Sequence, residues 1–202
     1  MEKIDGIAVL EVTSAGEWRR WLAAPDRTSV WLVIRRKGSA RPGVAIHEAM
    51  EQALCFGWID SKALRRDAES TYLCFTPRKP SSTWSRVNRE RVSRLTAAGL
   101  MTPAGQAVVD LARRTGTWDV LAEAQDGVVP ADLRRAFEAD AVASGNFEGF
   151  PPSSRRLILE WIAKAKRPET RGRRIATTVE LARQNRRAAH PLARTVVSGK
   201  AG

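Results

Sequence analysis

The densest run of chemistry-bearing side chains lies between residues 54 and 88. It reads L-C-F-G-W-I-D, then two alternating segments, then T-P-R-K-P-S-S-T-W-S-R-V-N. Side chains alternate along a strand, so Trp58 and Asp60 project from one face. Trp84 and Asn88 are four apart and share a face once the segment after Pro80 is helical. Arg78 stands between Pro77 and Pro80, in a connection that proline stiffens. Ser81, Ser82, Thr83 and Ser85 then gather at the start of that helix, where unpaired N–H groups and the helix dipole favour an anion. An aromatic wall with a few fixed polar groups is the make-up of a small-molecule pocket. The spacing predicts a ligand site of Trp58, Asp60, Arg78, Ser82, Trp84, Ser85 and Asn88, partly open to solvent. The plainer alternative uses the same residues structurally: tryptophans as core, Asp60 paired with Arg78, and serines as caps.

Other combinations are weaker. His47, Glu51 and Cys55 fall at i, i+4 and i+8 of one predicted helix. A helix rises 1.5 Å per residue, so His47 and Cys55 stand about 12 Å apart. A nucleophile and its base must approach to about 3 Å. A thiol–imidazole pair within this helix is excluded, and His47 with Glu51 reads as a local surface pair. The two cysteines, Cys55 and Cys74, form no C-x-x-C pair. With only two histidines they match no familiar zinc spacing. They read as small buried hydrophobes in a reducing compartment. The nearest approach to a phosphate loop, R-P-G-V at 41–44, lacks the glycines such a loop needs. No cofactor and no metal are expected.

Charge is unevenly spread. Residues 151–202 hold 13 Lys and Arg against three acids, Glu160, Glu169 and Glu180, whereas the first 150 residues are almost balanced. Lys164, Lys166, Arg167, Arg171, Arg173 and Arg174 are the candidates for weak, non-specific, salt-sensitive polyanion binding. The alternative is a solvated, Arg-rich helix face.

These residues need a scaffold. The run S-V-W-L-V-I at 29–34 is apolar on both faces and suits a central, covered strand. Residues 58–65 and 71–76 read as a hairpin turning at Asp67-Ala-Glu-Ser, and Leu10-Glu11-Val12 as a short strand. Ser14 and Glu17 have capping-box spacing and open a helix carrying Trp18, Trp21 and Leu22. Residues 44–55 read as a helix burying Ile46, Ala49, Met50, Ala53 and Leu54, ended by Gly57. The second half reads as helices: one capped by Ser82 or Thr83 and carrying Trp84 and Val87, one opened by Thr102-Pro103 and carrying Val108, and a short one near Trp118. Helices opened at Pro130, at 154–166 with Leu157 inward, and at Pro168 follow. Gly145 to Pro152 reads as a turn-rich break. The fold class is α+β: a small, mostly antiparallel sheet of about four strands packed by helices, then a helical C-terminal region. Residues 1–100 form the sheet region, 101–185 the helical part of the same compact unit, and 186–202 a weakly packed tail. No apolar run spans a bilayer, and the polar start M-E-K-I-D-G is unlike a secretory signal. A cytoplasmic protein is expected, and the oligomeric state stays open.

Four stretches carry a resemblance: A-L-C-F-G-W-I-D, T-P-R-K-P-S-S-T-W-S-R-V-N, G-L-M-T-P-A-G and A-K-R-P-E-T-R-G-R-R-I. In this order, over roughly residues 12–185, the chain resembles the YdeI/OmpD-associated family, also described as bacteriocin-protection proteins (OmdA). The resemblance implies protection against antimicrobial peptides or envelope stress, and it brings no catalytic residues. Three functions compete. The first is a non-catalytic binding protein whose partner is a small molecule or peptide. The second is a hydrolase-like enzyme with Asp60 as acid or base and Arg78 as anion clamp. The third is a nucleic-acid binder using the basic C-terminal quarter. They rank in that order, because the sequence holds no activated nucleophile, metal spacing or phosphate loop.

Overall fold

The apolar run V-W-L-V-I becomes the centre of a five-stranded sheet. In the computed structural model, which describes residues 2–189, the strands are β1 Lys3–Ile4, β2 Ile7–Leu10, β3 Val30–Arg35, β4 Trp58–Arg65 and β5 Ser70–Pro77. Their spatial order is β1-β2-β3-β5-β4. Only β2 and β3 run parallel; the other pairs are antiparallel. All six residues of β3 are buried, as an unalternating apolar run requires. The hairpin stands where its alternation predicts. Asp67 turns it by accepting the Glu69 N–H and the Ser70 hydroxyl, both at 2.8 Å. The strand the sequence did not predict, β1, is two residues long and shows no period. It is folded back by Asp5 and Gly6, both at positive φ.

The helices are α1 Ala15–Ala23, α2 Ile46–Cys55, α3 Arg86–Ala97, α4 Pro103–Arg114, α5 Ala122–Gln125, α6 Ala131–Glu138, α7 Ala141–Glu148, α8 Pro152–Ala163 and α9 Pro168–Arg183. The α+β class with a mostly antiparallel sheet is as expected. None of the described helices is long and apolar enough to cross a membrane.

The described chain divides into two compact units, one of residues 2–82 and Val87–Trp118, the other of Thr83–Arg86 and residues 119–189. In the first unit, α1 and α2 cover the sheet over Leu22, Leu32, Ile34, Leu73 and Phe75. Trp18 is fully buried there. Its indole N–H donates to the Ala49 carbonyl at 3.0 Å, and its ring lies 5.3 Å from Phe75. α4 approaches α2 at the Cys55 carbonyl, which accepts both the Thr102 N–H at 3.0 Å and the Thr102 hydroxyl at 2.6 Å. A Cβ on Gly105 would stand 2.1 Å from that same oxygen, so only glycine permits the approach.

The second unit is helical around Leu133, Phe137, Phe147, Phe150, Ile158 and Ile162. The Phe147 ring lies 4.9 Å from Phe137 and 6.2 Å from Phe150. The first part of the predicted break, 145–148, is instead the end of α7, and the turn is confined to 149–151. Asp140 caps that helix through the Ala143 N–H at 3.0 Å, and the Asn146 amide donates to the Ala182 carbonyl at 2.9 Å. These contacts outweigh a sequence poor in helix formers. Three side chains expected inward face solvent: Ile46, Val87 and Leu157 are each more than half exposed. Leu159 and Val109 are buried where Leu157 and Val108 were expected. A shift of one or two positions rotates a helical face by about 100° per residue. Beyond α9, the Arg186 N–H returns to the Leu181 carbonyl at 2.8 Å and Ala188 is buried, so the chain is still packed there. The rest of the expected tail, 190–202, lies outside the described residues.

Candidate functional site

The residues singled out around Asp60 fall in both units. Trp58, Asp60, Arg78, Ser82 and Asn88 belong to the first unit, and Trp84 and Ser85 to the second. Gly57, at φ +77°, turns the chain from α2 into β4 and sets Trp58 at the strand's start. Trp58 is buried with its ring edge-on to Trp21 at 5.7 Å. Asp60 is half-buried opposite Phe75. Arg78 follows β5, its N–H bonded to the Gly57 carbonyl at 2.9 Å. Burial pushes the Arg78 guanidinium down to about 10, and the negative charge of Asp60 works against that shift. Asn88 accepts from Arg91 at 3.1 Å. Trp58, Asp60 and Asn88 do line one cavity, with Met50, Ile59 and Phe75, but its volume is about 10 Å³. That is room for about one water.

The helix expected to begin at Ser82 or Thr83 begins at Arg86. Ser82 instead closes a turn, its N–H on the Lys79 carbonyl at 2.9 Å, and Trp84 and Ser85 precede the helix. The first helical N–H, that of Arg86, is taken by the Gln125 side chain at 2.8 Å. A long-range acceptor thus meets the first N–H of α3. Trp84 is buried and Ser85 half-buried.

The basic residues of the second unit divide. Arg171 grips Asp132 with two bonds, at 2.6 and 2.9 Å, and holds that carboxyl below the usual range. Arg174 donates to the Trp161 carbonyl and lies 5.1 Å over its ring. Lys164 pairs with Glu160 at 3.4 Å. Lys166, Arg167 and Arg173 are exposed. Arg171 and Arg174 therefore brace the helical unit. In the first unit, Glu51 pairs with Arg94 rather than His47. No group of three His, Cys, Asp or Glu among the described residues is placed to hold a metal.

A larger site lies in the first unit, where the sequence shows only the polar loop R-R-K-G-S-A-R-P-G. The loop that leaves β3 returns as Val44, bridged to Ile34, and enters α2. Between loop, sheet and helix opens a basin of about 840 Å³. Ile34, Ile46, Ala63 and Leu73 give it apolar surface; Arg35, Arg36, Lys37 and Arg41 stand around it against one carboxylate, Glu48. Arg35 is the unusual member. Its side chain is 7% exposed; Nη2 pairs with Glu11, whereas Nε and Nη1 are buried without a hydrogen-bond partner. An unsatisfied buried donor costs about 1–3 kcal/mol, more on a charged group. Gly43 makes this placement sterically feasible, since a Cβ there would stand 2.3 Å from the Arg35 Cγ. The available sequence signal was an arginine at the very end of a fully apolar strand.

Comparison with known proteins divides the chain in a similar way. Residues 126–185 match the family described as bacteriocin-protection, YdeI or OmpD-associated. Residues 10–108 match a domain of unknown function, DUF8412. The W-I-D and T-P-R-K-P motifs thus lie in the second match, so the resemblance drawn over 12–185 holds for the C-terminal part alone. No curated protein and no solved structure matches the chain.

Proposed function

We propose that this chain, whose residues 126–185 match the bacteriocin-protection, YdeI or OmpD-associated family, is a non-catalytic binding protein. It acts in the cytoplasm and contributes to tolerance of antimicrobial peptides or envelope stress by holding a small molecule. The observation that carries this reading is the basin of about 840 Å³ beside β3 and α2. Its volume falls within the roughly 300–1,000 Å³ of small-molecule pockets, and its mix of apolar surface and a few charged groups is theirs too. The reading puts the ligand there rather than at Asp60, where the cavity is about 10 Å³. The two cysteines, both buried as free thiols, suit a reducing compartment.

Ala63 is exposed on β4 and lines the basin. Ala63→Trp fills the basin from the solvent side with little demand on the core. Bacterial cells expressing the chain should survive a membrane-active antimicrobial peptide better than cells expressing Ala63→Trp at equal protein level. Equal survival would overturn the assignment of function to the basin.

A further inference from the structure

We infer that the basin takes an amphiphilic organic anion: a carboxylate, sulfonate or phosphate-ester head on an apolar body. This rests on the binding reading above and adds the chemistry of the ligand. Three observations converge on the head group. Arg35 forms part of the wall, and its guanidinium lies buried behind the basin's surface with Nε and Nη1 unpartnered, so it offers the basin a positive charge rather than open donors. Its counter-ion, Glu11, is shared with Arg66 at 3.0 Å and is 46% exposed, so the guanidinium is only partly neutralised. α2 starts beside it at Ala45, a residue with no side-chain oxygen to cap the helix. Glu48 reaches back to the Ala45 N–H at 3.0 Å. The N–H groups of Ile46, His47 and Glu48 have no carbonyl four residues earlier within the helix, and a helix start of this kind attracts an anion. Arg36, Lys37 and Arg41 add positive charge at the mouth.

The rest of the basin argues against a bare inorganic anion. Ile34, Ile46, Ala63 and Leu73 would stay wet around a phosphate. A neutral apolar molecule would cover them and leave the positive charge of Arg35, Arg36, Lys37 and Arg41 unanswered. A cation would meet four basic side chains. One molecule with both properties satisfies the whole lining.

Two dyes with nearly the same ring system separate the claims. 8-Anilinonaphthalene-1-sulfonate carries the anion; N-phenyl-1-naphthylamine lacks it. Calorimetric titration of the full chain should show one site for the sulfonate, at least about tenfold tighter than for the neutral dye, a difference of about 1.4 kcal/mol. Ala63→Trp should abolish that site. Arg35→Met, if circular dichroism shows it folded, should bring the two dyes to similar affinity. Equal affinity of both dyes for the wild-type chain, lost in Ala63→Trp, would overturn the anionic head and leave the binding reading standing. Dye binding that Ala63→Trp does not alter would overturn both.

Discussion

The two units of this molecule treat their charged residues differently. In the helical unit, two half-buried arginines of α9 meet matched acceptors: Arg171 a carboxylate, Arg174 a carbonyl and a ring face. The core of that unit is apolar, with the Phe147 ring against both Phe137 and Phe150. The sheet unit buries Arg35 with two unpartnered nitrogens and holds Arg78 where burial pulls its proton affinity down. Arg171 and Arg174 of the basic C-terminal quarter brace their own unit, while the nearly neutral first part carries a buried guanidinium with unpartnered nitrogens beside a cavity.

The contrast is most strongly tested in the helical core. Phe147→Ala should destabilise the protein by about 3–5 kcal/mol, the usual cost of removing a buried phenyl ring. Urea denaturation followed by far-ultraviolet circular dichroism measures it. A loss below about 1 kcal/mol, well short of that range, would mean the aromatic cluster is not the centre of that unit.

A smaller effect is expected at Asp60. Its charge partly offsets the burial of Arg78, so Asp60→Asn leaves a buried cation less well matched. Breaking a fully buried pair costs about 3–5 kcal/mol; Asp60 is half-buried, so about 2 kcal/mol is expected. An unchanged thermal melt would show that Asp60 has no structural duty, and would favour a recognition role for it.

The smallest effect belongs to the Asp132–Arg171 clamp, about a third exposed on both sides. Asp132→Asn should cost about 1 kcal/mol near neutral pH. Arg171 lowers the Asp132 pKa, so the stabilisation is full above the unfolded carboxyl value, near pH 4, and is lost as pH falls through the lowered folded value. The gap between wild type and variant should close in strong acid. A gap that persists there would mean the contact is held by shape rather than charge.

Much of the fold was legible because its signals are local. An unbroken apolar run becomes β3, alternation around Asp67 becomes the hairpin, and proline openings become α4, α6 and α9. What escaped depends on distant partners. α7 forms because Asn146 finds the end of α9. α3 starts late because Gln125, far along the chain, offers its first acceptor. The candidate site follows the same rule. Trp58, Asp60 and Asn88 converge as strand and helix spacing predicts, but spacing carries no information about volume, and the space between them is nearly filled. The basin is built by a loop returning to the edge of β3, and a local pattern could not reveal that Gly43 would make room for Arg35.

The meeting of α4 with α2 also accounts for the stretch T-P-A-G at 102–105. Thr102 ties two bonds to the Cys55 carbonyl, Pro103 opens the helix, and Gly105 leaves the bare backbone against which that carbonyl rests. The stretch behaves like a rivet: Thr102 and Gly105 answer to one oxygen atom on another helix. Position 105 has an alphabet of a single letter, since even the smallest side chain would have to share space with the peptide group of Cys55. A descendant of this sequence can drift over most of α4's outer surface and keep its fold, but a change at that one point has to be answered by moving a whole helix.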